Sequence, residues 1–110
     1  MSLKLGAVII DAAALEEEST FWHQFLGGSV AATETHHFLS AEGFPTLVIQ
    51  HAAGQAPPEW PDGASQQVHL DITAADLAAA ESRAVEAGAR QLSGHVYASP
   101  AGHPFCLRQA

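Results

Sequence analysis

Hydrophobic and polar positions alternate strictly in one stretch of this chain and recur at helical spacing in two others. In QQVHLDIT (66–73), Val68, Leu70 and Ile72 fall on one face, and His69, Asp71 and Thr73 fall on the other. That period of two predicts a half-buried strand. KLGAVIID (4–11) is apolar on both faces, as a strand covered on both sides would be. A first helix is predicted from about Ala13 to Leu26. Glu16, Glu17 and Glu18 crowd its first turn, where the helix dipole favours negative charge. Leu15, Trp22, Phe25 and Leu26 form its apolar stripe, Phe21 adds helix-to-sheet packing, and Gly27 offers a left-handed C-cap. A second helix follows the alternating strand. Thr73 is its expected N-cap with Asp76 three residues on, a weak capping box. Leu77, Ala80, Ala84 and Val85 are expected to face inward, and Gly88 to end it.

The chain is written twice. HHFLSAEGFPTLVIQ (36–50) matches HVYASPAGHPFCLRQ (95–109) without gaps, at an offset of 59. His36 falls on His95, Phe38 on Tyr97, Gly43 on Gly102, Pro45 on Pro104 and Gln50 on Gln109. The earlier parts of the two halves correspond at an offset of 61, which places Gly27 on Gly88. Each half therefore reads as a strand, a helix ending at glycine, and two or three short strands. The first module covers about 1–51, a Pro/Gly-rich linker 52–65, and the second module about 66–110, together forming one domain. Only Ser93 and Gly94 separate two strand patterns in the second copy, so one strand there is expected to be vestigial.

This organisation predicts an α+β fold of tandem βαβββ modules. Each helix covers one face of its sheet, and the free faces curve into a cup with the helices outside. A cup with a few polar groups among apolar ones is a ligand pocket.

Composition narrows the partners. Apolar residues are 47% of the 110, enough for a real interior. Twelve acidic against four basic side chains give a formal charge of -8. Phosphate-rich partners demand Lys and Arg, so nucleic acid and anionic membrane are not expected. A single cysteine cannot form an intramolecular disulfide, and the apolar start is too short to span a membrane. The expected location is the cytoplasm, and open sheet edges favour a homodimer.

Seven histidines invite a metal reading, but no HExxH spacing occurs. His36 and His37 are adjacent, so on a strand they point to opposite faces. His69 and Asp71 share the cup face. His69 is either a hydrogen-bonded pocket residue or a ligand. Asp71 is either a general base or a solvated charge at the rim. Trp60, in the linker, either stacks on a ligand or pins the loop.

The duplicated βαβββ pattern, with EWPDGASQQVHLDIT (59–73) opening the second copy and SPAGHPFCL (99–107) closing it, resembles the vicinal oxygen chelate superfamily. That group includes glyoxalase I, extradiol dioxygenases, and bleomycin and fosfomycin resistance proteins. The resemblance is nearest to its short glyoxalase-like domains. It implies divalent-metal ligands (for Zn, Ni, Fe or Mn) taken from the first and last strand of each module. Carried over residue by residue, His69 matches, but its counterpart at offset 61 is Val8, which cannot coordinate. The carboxylate position of the last strand holds Cys106, whose counterpart at offset 59 is Leu47. A small register slip would bring Gln50 or His51 there instead. If a metal is present, its ligands would be His69, Cys106 and Gln50, fewer oxygen donors than a hard cation wants. Strand alternation also puts Arg108 on the face of Cys106. A reactive thiol needs a base or cation beside it, and packing is the alternative role. The ligand-pocket set is therefore His69, Cys106, Asp71, Gln50, His51, Arg108 and Trp60. Three classes stay open: a small-molecule binder without a complete metal site, a divalent-metal lyase or dioxygenase-type enzyme, and a degenerate interaction module.

Overall fold

A computed structural model describes residues 2–59 and 63–110. The chain divides into two compact units, Met1–Gln55 and Ala56–Ala110. The first unit runs β1 (Ala7–Ala12), α1 (Leu15–Leu26), β2 (Ser29–Ala32), β3 (His36–Ser40) and β4 (Thr46–His51). Its sheet has the order β1-β4-β3-β2, with β1 parallel to β4 and the other pairs antiparallel. The second unit repeats this with β5 (Leu70–Ala74), α2 (Leu77–Ala87), β6 (Arg90–Ser93), β7 (Val96–Ala98) and β8 (Pro104–Gln109), in the order β5-β8-β7-β6. Both are βαβββ units, and the fold class is α+β. A parallel β1–β4 pair cannot be closed by a tight turn, so the helix and two short strands form the crossover.

The core of the first unit lies between α1 and the sheet. Leu15, Phe21, Trp22 and Phe25 are buried there with Ala12, Leu39, Leu47 and Ile49. Phe21 and Trp22 meet edge to face at 4.9 Å. Glu18 does not stay in solvent with Glu16 and Glu17. It lies on the Leu15–Trp22 face of the helix, is 1% exposed, and accepts the Trp22 Nε1–H at 2.9 Å. A buried indole N–H needs an acceptor, and one helical turn back is within reach.

Several element boundaries differ from expectation, each for a local reason. Helix α1 starts at Leu15, two residues late, because β1 runs on to Ala12. Strand β5 starts at Leu70, so Val68 is not inward-facing but 76% exposed. The residue that would face His69 across the ladder is Pro104, which has no N–H to donate. Thr73 is still in the strand, opposite Arg108, and Asp76 caps α2 instead, accepting from Ala79 N–H at 3.1 Å. Val85 is exposed because α2 turns its small residues, Ala80 and Ala84, to the sheet. No strand of the second unit is vestigial: β6 and β7 pair through a tight turn at Gly94, whose φ of 51° suits glycine.

The repeat is also one residue out of the register its identities suggest. Ala52 N–H donates to Ala12 O, and Ala110 N–H donates to Ala74 O, both at 2.9 Å. On these equivalent bonds the first strands and helix starts differ by 62 positions and the last strands by 58. Helix α2 is a residue shorter than α1, which keeps Gly27 over Gly88. The counterpart of Val8 is therefore Leu70, that of Cys106 is Val48 rather than Leu47, and that of His95 is His37 rather than His36. A shift of one residue exchanges the two faces of a strand.

Candidate functional site

In the first unit, Val8, Ile10, Leu39, Leu47 and Ile49 face α1. The other face carries two rows, fixed by strand register. One row is apolar: Ile9 on β1 pairs with Val48 on β4, which pairs with Phe38 on β3. Val48 is 4% exposed between Ile9 at 58% and Phe38 at 39%. The second row lies two residues further along and is polar: Asp11, Gln50 and His36. Thr35 Oγ1 and His36 Nδ1 lie 2.8 Å apart, His36 Nε2 and Gln50 Oε1 3.1 Å, and Gln50 Nε2 donates to Asp11 Oδ1 at 3.3 Å. Asp11 carries the charge, so it orients the Gln50 amide toward it. That leaves Gln50 Oε1 for the Nε2–H of His36, and His36 Nδ1 to accept from Thr35. Each bond in such a chain polarises the next. The His36 and Phe38 rings stand parallel on this face, 6.1 Å apart.

The corresponding face of the second unit has diverged. Asp71, Cys106 and Val96 occupy the row of Ile9, Val48 and Phe38, and Arg108 takes the place of Gln50. Arg108 Nε donates to Asp71 Oδ1 at 3.1 Å and its Nη2 engages Oδ2, a two-point pair. Cys106 is half-buried beside that pair.

The structure thus groups Asp71, Cys106 and Arg108 on one face, and puts Gln50 in a polar row with two residues not in the expected set, Asp11 and His36. His51 follows Gln50 in β4 and takes the opposite face, so the two cannot serve the same site. His69 precedes β5, is exposed, and has its Nδ1 3.3 Å from Gln66 Nε2. Trp60 lies outside the described residues. Ile9 with Asp11, and His36 with Phe38, stand two residues apart on one strand and so share a face in the sequence, but joining the two pairs into rows needs the strand register.

A divalent ion, which the resemblance implies, finds a poor donor set. Asp71 is engaged by Arg108, and Gln50 by His36 and Asp11. Among the described residues no three of His, Cys, Asp and Glu are grouped to hold one. The described residues do not fit a metal centre.

On the α2 side of the second sheet lies another polar cluster. Glu81 Oε2 accepts from Tyr97 OH at 2.7 Å and from His95 Nδ1 at 2.9 Å. The His95 and Tyr97 bonds hold the Glu81 carboxyl below its ordinary range. Burial, reinforced by Glu81, pushes the Tyr97 phenol up to about 12. This cluster ties α2 to β7.

Comparison with known proteins agrees with this architecture. No curated protein matches the chain. The fold is similar to that of a glyoxalase/bleomycin resistance protein/dioxygenase family enzyme from Burkholderia phytofirmans PsJN, at 13% identity and a TM-score of 0.75, over 94% of this chain and 96% of that one. A glyoxalase/bleomycin resistance protein from Albidiferax ferrireducens T118 is similar at 15% identity and a TM-score of 0.72, over 96% and 98%. TnmS3, an antibiotic binding protein from Streptomyces sp. CB03234, is similar at 17% identity and a TM-score of 0.68, over 99% and 98%. The family model for the glyoxalase-like domain matches residues 7–108, nearly the whole of the two βαβββ units. The chain belongs to the glyoxalase-like domain family.

Proposed function

We propose that this protein binds a small apolar or aromatic molecule on the sheet face turned away from α1, without a complete metal site. The observation that carries the reading is the apolar row Ile9–Val48–Phe38 set beside the oriented row Asp11–Gln50–His36. An apolar surface supplies affinity and a few fixed polar groups supply orientation, which is how small-molecule sites are built. The similarity to TnmS3, named an antibiotic binding protein, is compatible with this. We place the protein in the cytoplasm as a homodimer, since each sheet ends in two outer strands and a lone cysteine needs no oxidising compartment.

The test is a thermal-shift screen of the purified chain against polycyclic aromatic compounds and antibiotics, with elemental analysis of the same sample. A ligand that raises Tm by several degrees, as saturating binding to the native state does, is expected. The shift should disappear in Phe38→Ala. No shift across the panel would refute the reading and favour an interaction module. Metal held near about one equivalent per chain would favour the lyase or dioxygenase-type alternative instead.

A further inference from the structure

Each four-stranded sheet ends in two outer strands, and an outer strand leaves backbone N–H and C=O groups for another strand to take. Charge or irregularity normally blunts such an edge. Strand β1 carries Asp11, β5 carries Asp71, and β6 carries Arg90 and an irregular register between Gln91 and Ser93. Strand β2, SVAA, has neither a charged side chain nor a proline, and its pairing with β3 is unbroken from Ser29 to Ala32. Ser29, Ala31 and Ala32 are exposed. The direction of the β2 backbone groups follows from the hairpin. Thr33 N–H donates to His36 O at 2.8 Å, so that pair is a hydrogen-bonded one, and every second pair along an antiparallel ladder repeats it. Ser29 and Ala31 therefore turn their N–H and C=O toward β3, and Val30 and Ala32 turn theirs outward. The next outward carbonyl, that of Gly28, is already engaged, 3.0 Å from His23 Nε2.

We infer that β2 is where two copies of this chain join, in antiparallel pairing about a two-fold axis at Ala31. This inference rests on the homodimer in the reading above and names its interface. A strand that pairs with its own copy must align outward groups with outward groups. Placing Ala31 against Ala31 of the second copy sets Val30 against Ala32 of that copy, and Ala32 against its Val30. Each of those pairs exchanges two N–H···O bonds. An axis at Val30 would need the Gly28 carbonyl that His23 engages, and one at Ala32 would need Glu34, which lies beyond the strand. Copies of a chain of net charge -8 repel, and β2 brings them together without setting like charges opposite each other. The two Ala31 Cα atoms come to about 4.5 Å, the spacing of a pair without its own hydrogen bonds, where small side chains fit well. Ala31 pairs with Phe38 on the face turned away from α1. The row Ile9–Val48–Phe38 therefore runs on through Ala31 into Ala31 and Phe38 of the second copy, which lengthens the apolar face across the axis.

The experiment is disulfide trapping in the full chain, with Cys106→Ser as background. On oxidation, Ala31→Cys should crosslink more than about half of the chains, because the expected Cα spacing falls within the range of about 4.4–6.8 Å that a disulfide bridges. Ser29→Cys, on the same face and also exposed, should crosslink less than about a tenth, because the axis sets its two copies about 14 Å apart. In sedimentation equilibrium the parent chain should be a dimer. Ala31→Glu sets like charges opposite each other, and Ala32→Pro removes an outward N–H. Each should raise the dissociation constant at least about tenfold. Ala31→Cys, almost isosteric with the native residue, keeps the test valid whatever the glutamate does to folding. No excess of crosslinking at Ala31→Cys over Ser29→Cys, or a dimer of unchanged strength in both Ala31→Glu and Ala32→Pro, would overturn this interface and leave the homodimer standing. A parent chain that stays monomeric at high micromolar concentration would overturn both, and leave β2 to a strand of another protein.

Discussion

Single side chains here take roles that residue type alone would not assign. Glu18 turns from the helix surface into the core because its spacing from Leu15 and Trp22 leaves it no other face, and the Trp22 indole gives it a donor. Glu81 collects two donors, and that arrangement makes a pH prediction. The Tyr97 phenol is held protonated up to about 12, while in an unfolded chain it ionises near its ordinary value of about 10. Between those values the native state retains a proton that the unfolded state has lost. The contribution is therefore complete below about pH 10 and lost as the pH rises toward 12. Urea denaturation at pH 9 and pH 11 should show a steeper loss for the parent chain than for Tyr97→Phe; parallel losses would contradict this role of the phenol. At the acid end the sign reverses. Glu81, held low, contributes above its ordinary range, and that contribution fades as the pH falls through its lowered value.

At the scale of elements, the helices differ in how they are begun. Helix α1 opens at Ala14 with no side-chain cap and relies on three glutamates in its first turn and on a large aromatic face. Helix α2 has no acidic residue in its first turn and buries only Ala84 fully, so its cap matters more. Asp76→Ala should cost about 1 kcal/mol of unfolding free energy, read from urea denaturation at unchanged slope, and Asp76→Asn much less, since the amide oxygen still accepts. The junction after α1 is constrained by glycine. Gly28 has φ +84°, and a Cβ there would meet Ser40 O at 2.1 Å, so strand β3 leaves no room for a side chain. The identities of the repeat stand one residue out of the strand register. Among its identities, Gly43 with Gly102 lies in the turn before the last strand, while Pro45 stands just before β4 and Pro104 opens β8. The turn glycine sits one position later, relative to the strands, in the second copy. Turn residues answer to local backbone geometry, whereas register answers to hydrogen bonds between strands distant in sequence.

At the scale of the whole molecule, the expected homodimer is checked by sedimentation equilibrium: a mass of twice 11.5 kDa supports it, and a monomer at high micromolar concentration would exclude it. No helix among the described residues is long and apolar enough to cross a membrane. The sequence by itself determined the two βαβββ units, the helices ending at Gly27 and Gly88, and the family. Those follow from period, composition and turn residues, which are local and survive divergence. It also put Cys106 and Arg108 on a common face, because residues two apart along a strand share one, and the β5–β8 register adds Asp71 to them. Only the tertiary structure decided that Asp11, Gln50 and His36 form one row, that His51 points the other way, and that His69 stands before its strand. Those facts depend on which residue of β1 lies against which residue of β4, and on where Pro104 ends the β5 ladder. Such pairings join positions some 40 residues apart in the first unit. No pattern within either strand encodes them, because hydrogen bonding between backbones is blind to side-chain identity while a single step of register changes every face.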